Sequence, residues 1–181
     1  MGEDENYFEK LFEPPPYSSI AELMTADTAG RVSDEDLNRH LSWFLAYIIR
    51  SPADCETLAE PVVTYFATHI MQHDVWNGGF AQAVFNIPEW FDLAARGYER
   101  LRRPQAVERI RKAAAMSVSE ADSVRWLKRR RAEIRAIFDR FSTSSLRALD
   151  AGLDEIGWDA TSDRIALARR HREAFAQAKL K

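Results

Sequence analysis

His69 and His73 stand four residues apart, with Asp74 next to the second. On a helix that spacing turns both imidazoles to one side, as a bound metal would need. A catalytic zinc helix also requires Glu directly after the first His; Ile70 stands there, and no third ligand lies close in sequence. Cys55, the only cysteine, sits near an expected helix start, where the helix dipole would lower its pKa, but no local partner accompanies it. Arg125, Lys128, Arg129, Arg130, Arg131 and Arg135 surround Trp126 in a basic run whose chemistry suits phosphate contacts. On a helix those charges spread around most of the circumference, which equally suits a solvated face or pairing with acids elsewhere in the chain. Ser142 to Ser145 lack the glycines of a nucleophile elbow, and neither a phosphate loop nor a dinucleotide fingerprint occurs. The expectation is a protein without catalytic residues, metal or cofactor. A helical nucleic-acid binder using residues 125–135, and an enzyme or metal protein centred on His69 and His73, are the alternatives.

Charge is distributed unevenly. The net charge is −3, yet residues 1–60 carry thirteen acids and four bases, and residues 125–181 carry eight acids and fourteen bases. Such segregation presents one charged face to a partner, or complements itself within the fold or between protomers. The acids Glu22, Asp27, Asp34, Glu35, Asp36, Asp54, Glu56 and Glu60 are the candidate acidic surface. They also suit helix ends and caps.

The elements that must position these groups are helices. Apolar residues at 46 %, with ten Phe, five Trp and five Tyr, suffice for a buried core in one domain of 181 residues. No period-2 pattern indicates a strand, no run approaches a membrane span, and the acidic start of the chain does not resemble a signal peptide. The expected protein is all-α, a single domain of roughly seven to nine helices, and cytoplasmic. Residues 1–17 read as an acidic, partly disordered arm ending in Pro14, Pro15 and Pro16, and residues 18–181 as the helical domain. Ser33 and Asp36 predict a capped helix start, followed by Leu37, Leu41, Phe44, Leu45 and Ile48 at helical spacing. A second helix is expected from about Asp54 to Trp76, with Pro61 causing a kink or a later start. Further helices are expected after Pro88, after Pro104, from Ser119 to Phe141, over residues 143–156 and over residues 162–177. Gly157 should close the penultimate one in a left-handed cap, bringing Trp158 back towards Leu153.

The most distinctive segment interrupts this helical pattern. Asn77-Gly78-Gly79 permits a sharp turn between two helices, and Asn77 can accept from a free N–H of the second. Gln82 and Asn86, four apart, share a face among Phe80, Val84 and Phe85. Two amides beside such a turn can bind a ligand or backbone, or can satisfy the turn's own polar groups.

Asn77, Gly78, Gly79 and Phe80, followed by Gln82, Phe85 and Asn86, resemble the signature of the bacterial DNA-mimic-protein-like domain, a family long grouped as a domain of unknown function. Tyr65 and Phe66 lead in and Trp90 follows, giving a motif core at residues 65–90 within a resemblance over about residues 33–160. The resemblance implies an all-helical fold, a homodimer, and a protein-binding role in which an acidic surface occupies the DNA-binding face of a regulator. The partner would be another protein, with neither nucleic acid nor membrane bound. This chain departs from the strongly acidic pattern of such mimics: its net charge is only −3 and its C-terminal third is basic.

Overall fold

The computed structural model describes residues 14–116 and 144–179. Among these residues every regular element is helical and none is a strand, as the periodicity requires: seven α-helices, the third of them sharply bent, and three short 3-10 helices. The all-α expectation holds. The chain divides into two units, one comprising residues up to Val63 and from Thr161 onward, the other Thr64–Ala160.

The first unit contains α1 (Ile20–Thr28), α2 (Asp34–Ile48), a 3-10 helix (Pro52–Thr57), α6 (Thr161–Arg170) and α7 (Arg172–Ala176). Ser19 caps α1 by accepting from the Glu22 amide at 3.2 Å, and Ser33 caps α2 by accepting from the Asp36 amide at 3.1 Å. The second cap is the one the sequence predicts. The inner faces bury Leu23, Leu37, Leu41, Leu45, Ile165, Ala168 and Phe175. His40 is also buried and meets Tyr17 edge to ring; burial, with the Arg39 charge, holds its pKa below the usual imidazole range.

At two boundaries the expected helices are redrawn, the first by the later start that Pro61 suggests. Residues after Pro52 form a 3-10 helix rather than the start of a long α-helix, and α3 (Glu60–Asn86) begins only at Glu60, with Pro61 in its first turn, where a missing N–H costs nothing. The last expected helix is two, α6 and α7, separated at His171, whose φ of −116° and ψ of 36° are not helical.

The second unit is built on α3, a 3-10 helix (Pro88–Trp90), α4 (Phe91–Arg100), α5 (104–116) and a 3-10 helix (Ser145–Leu149). Its core joins Met71, Phe80, Val84, Phe91, Tyr98, Ile110, Leu146 and Trp158. Trp158 is wholly buried between Phe80, met edge-on at 5.3 Å, and Tyr98, stacked at 5.1 Å, while the Tyr98 hydroxyl donates to the Trp158 carbonyl. Of the helix expected over residues 143–156, residue 143 lies outside the described residues, and 144–156 are not an α-helix. The left-handed Gly152 interrupts the ladder, and the carbonyls of Leu149 and Ala151 instead accept from Arg109 Nη1. The cap at Gly157 does form: its φ is +65°, Trp158 N–H returns to the Leu153 carbonyl at 3.1 Å, and Gly157 N–H to that of Asp154 at 3.2 Å.

Candidate functional site

Asn77-Gly78-Gly79 bends α3 into two arms. Gly78, at φ −168°, is merely extended, but Gly79 adopts φ +74°, ψ −177°, a region essentially closed to residues with a side chain. The bend leaves the second arm with unpaired amides at its start. Phe80 N–H donates to Asp150 Oδ1 at 2.9 Å, so the capping carboxylate comes from seventy residues away rather than from Asn77. The Asn77 amide nitrogen lies 3.1 Å from His73 Nδ1. Asp150 is pressed so close that a β-carbon on Gly79 would sit 2.2 Å from its Oδ2. Asp74 joins the arms on the other side: its Oδ1 accepts from Gln82 Nε2 at 3.3 Å and Asn86 Nδ2 at 2.7 Å. Gln82 and Asn86 therefore both donate to one carboxylate within the bend. Phe80 is fully buried beneath it, Gly79, Gln82 and Phe85 are half-buried, and Asn77, Gly78 and Asn86 are exposed.

Sequence reasoning missed Asp150, and also Gln72, whose buried amide donates to Asp159 Oδ1 and accepts from Ala160 N–H. No local signal marks either, because the groups they serve lie far away in the chain.

Burial raises the Asp150 pKa against the lowering effects of the Phe80 N–H and the Arg147 and Arg109 charges. A raised value means that the native state holds this proton after the unfolded chain has lost it. Stability therefore falls as pH rises from the ordinary aspartate value through the raised one, and levels off above it. Asp150→Asn keeps an acceptor for Phe80 N–H and removes that titration. Its denaturant-unfolding free energy should be within about 1 kcal/mol of the parent at neutral pH, and should lack the decline across that window.

The other candidate groups lie apart from the bend. His69 is half-buried and His73 exposed; their rings are 6.3 Å apart and continue a stack begun by Tyr65 and His69 at 6.3 Å. No set of three or more His, Cys, Asp or Glu among the described residues is grouped to hold a metal. Cys55 is buried, and desolvation, with the Asp54 charge, pushes its thiol up to about 11; the expected lowering by a helix start is overturned because the thiol is removed from water. The basic run Arg125, Lys128, Arg129, Arg130, Arg131 and Arg135 lies outside the described residues, as do residues 1–13 of the acidic arm.

Of the eight acids proposed for a binding surface, Glu22, Asp34, Glu35, Asp54, Glu56 and Glu60 are exposed and Asp36 is half-exposed, all in the first unit. Asp27 does not belong with them. Its side chain is only 1 % exposed; Arg169 Nη2 and Nε reach it at 2.9 and 3.1 Å, and Arg172 stands at 3.8 Å. Arg169 also pairs with Asp34 at 2.8 Å, and Arg39 with Asp36 at 2.6 Å. Glu22 accepts from Ser18 N–H and Oγ, and Asp54 from the Arg50 and Ser51 amides; these bonds hold both carboxyls below the usual range.

Together these features define an all-helical protein organised around a glycine bend that a distant carboxylate caps. The family model described as DMP19-like protein matches residues 56–176, more than half of the chain, and the chain belongs to that family. No curated protein and no solved structure matches it. The matched span contains the whole bend and its partners Asp74 and Asp150; of the candidate acids it includes only Glu56 and Glu60.

Proposed function

We propose that this chain is a non-catalytic protein-binding module whose N-terminal third, through its exposed acids, occupies the DNA-binding face of a DNA-binding protein. The supporting observation is the charge of residues 1–60, thirteen acids against four bases, with Glu22, Asp34, Glu35, Asp54, Glu56 and Glu60 exposed; the remainder of the first unit, residues 161–181, is basic, with six bases against two acids, so the acidic face is that of the N-terminal segment alone. A basic surface evolved for phosphates accepts carboxylates by the same electrostatics, with affinity that falls steeply as salt rises. Membership in the DMP19-like family supports the reading, since the sequence resembles domains that imitate DNA. In this reading the Asn77–Asn86 bend is architectural, because its amides are engaged by Asp74 and its leading N–H by Asp150. The chain acts as a homodimer, binds no nucleic acid and works in the cytoplasm.

Glu35 and Glu56 are exposed, and changing their charge disturbs no cap described above. Affinity capture with the full chain should retain a DNA-binding protein, which the chain then displaces from labelled duplex. Glu35→Lys with Glu56→Lys should weaken that displacement by about tenfold or more at low salt, while leaving the helical circular dichroism unchanged. A gel shift of DNA by the chain itself would overturn the reading in favour of nucleic-acid binding; stoichiometric metal after purification, lost in His69→Ala, would overturn it in favour of a metal protein.

A further inference from the structure

Alpha2 carries an aromatic strip that its own unit leaves half open to water. Asp36, Arg39, Trp43 and Tyr47 recur at helical spacing and fall along one stripe. Trp43 and Tyr47 lie 4.4 Å apart with their planes tilted by 41°, and Trp43 meets Phe44 edge-on at 5.3 Å. Tyr47 is 51 % exposed, and Trp43 and Phe44 are half-buried. Tyr and Trp held rigidly with one face in water are the residue types that anchor protein interfaces.

Acids flank the strip along the chain at both ends. Asp34, Glu35 and Asp36 occupy the first turn of α2, its last turn contains no base, and Asp54 and Glu56 follow in the 3-10 helix. From Asp34 to Thr57 the chain holds five acids and two bases, Arg39 and Arg50; Arg39 and Asp36 offset one another, Asp34 pairs with Arg169 and Asp54 accepts from the Arg50 and Ser51 amides, which leaves Glu35 at one end and Glu56 at the other as the exposed carboxylates for a partner. Two copies meeting through this strip would set acid against acid. The charge instead complements a cationic partner, whose Lys and Arg would find carboxylates at the ends and ring faces between them.

We propose that the exposed face of α2, with Trp43 and Tyr47 at its centre and acids at both ends, is a docking strip for a basic amphipathic helix of a partner protein. The proposal rests on the protein-binding reading above and sharpens it. Charge alone would imitate DNA, whereas an aromatic anchor adds an apolar contact that a sugar-phosphate backbone does not offer. The recognised feature is a helix with one apolar and one cationic side, laid along α2.

Calorimetric titration of the full chain with two synthetic peptides of equal Leu and Lys content tests this. One peptide is arranged as an amphipathic helix and the other is scrambled to abolish the apolar side. The amphipathic peptide should bind at least about tenfold more tightly. Tyr47→Ala should remove most of that difference, and Trp43→Ala should do the same, with thermal melting as the check that both variants fold. Glu35→Lys with Glu56→Lys should weaken both peptides. Equal binding of the two peptides, indifferent to Tyr47→Ala yet abolished by the charge reversals, would overturn the docking strip and leave the electrostatic reading standing. Binding of neither peptide would overturn the strip, and the DNA-displacement experiment would still judge the broader function separately. Light scattering that shows a wild-type dimer turned to monomer by Tyr47→Ala would also overturn it, marking the strip as a contact between copies.

Discussion

Gly79→Ala should destabilise the second unit by roughly 3 kcal/mol or more. Two effects combine. The backbone at φ +74°, ψ −177° is strained for any residue with a β-carbon, and that carbon would fall 2.2 Å from Asp150 Oδ2. Relief by moving Asp150 would strip Phe80 N–H of its acceptor. Urea unfolding monitored by circular dichroism measures the loss. Gly78→Ala is the comparison: its φ of −168° is open to alanine, and although the new carbon would fall 2.2 Å from Gln82 Oε1, that side chain can swing away at the loss of its bond to Asp74, so the cost should be about 1–2 kcal/mol and below that of Gly79→Ala. Combining Gly79→Ala with Asp150→Ala should cost less than the sum of the two, because the second change removes the carboxylate with which the first collides. Strict additivity would mean that Asp150 does not press on the bend.

The second large effect belongs to the buried carboxylate of the first unit. Arg169→Met should cost about 3 kcal/mol, since Asp27, with 1 % of its side chain exposed, would retain only Arg172 at 3.8 Å. Asp27→Asn should cost clearly less. The guanidinium it leaves behind is about one-third exposed, still pairs with Asp34 at 2.8 Å and can turn towards water. The asymmetry follows from which partner lies deeper, and thermal melting of the two variants side by side tests it. Equal losses would show that the pair contributes by mutual attraction alone.

Those two variants also mark the limit of what the sequence discloses. The Ser33 cap, the apolar spacing through Leu37, Leu41 and Leu45, the break at Gly78-Gly79 and the left-handed Gly157 were all legible, because each depends on residues within one or two turns. The DMP19-like membership likewise rests on a contiguous motif. Distant pairing was not legible. By its sequence Asp27 is one more surface acid, yet Arg169, 142 residues later, lies against it. Asn77 looked like the natural cap of the second arm, yet Asp150 supplies the acceptor. The expected helix over residues 143–156 gives way at the left-handed Gly152, a local break that the apolar spacing masks, and Arg109, forty residues earlier, donates to the Leu149 and Ala151 carbonyls. Local propensity describes a segment's preferences, and tertiary hydrogen bonds override them where a buried polar group demands a partner.

The acidic exterior shows the same boundary from another side. Composition marks residues 1–60 as negative, but not which carboxylates are committed. Glu22 and Asp54 serve their own chain ends, Asp34 and Asp36 are paired, and Glu35 and Glu56 stand exposed on the first unit.

The bond from Phe80 N–H to Asp150 has a bearing on how the protein is made. A ribosome adds roughly 5–20 residues each second, so the bend emerges several seconds before the aspartate that completes it. During that interval the nascent glycine hinge holds an unmatched amide beside a phenylalanine destined for the interior. A chain stalled or cleaved before Asp150 keeps that half-finished elbow, which ties solubility to the arrival of this one carboxylate as well as to the fold.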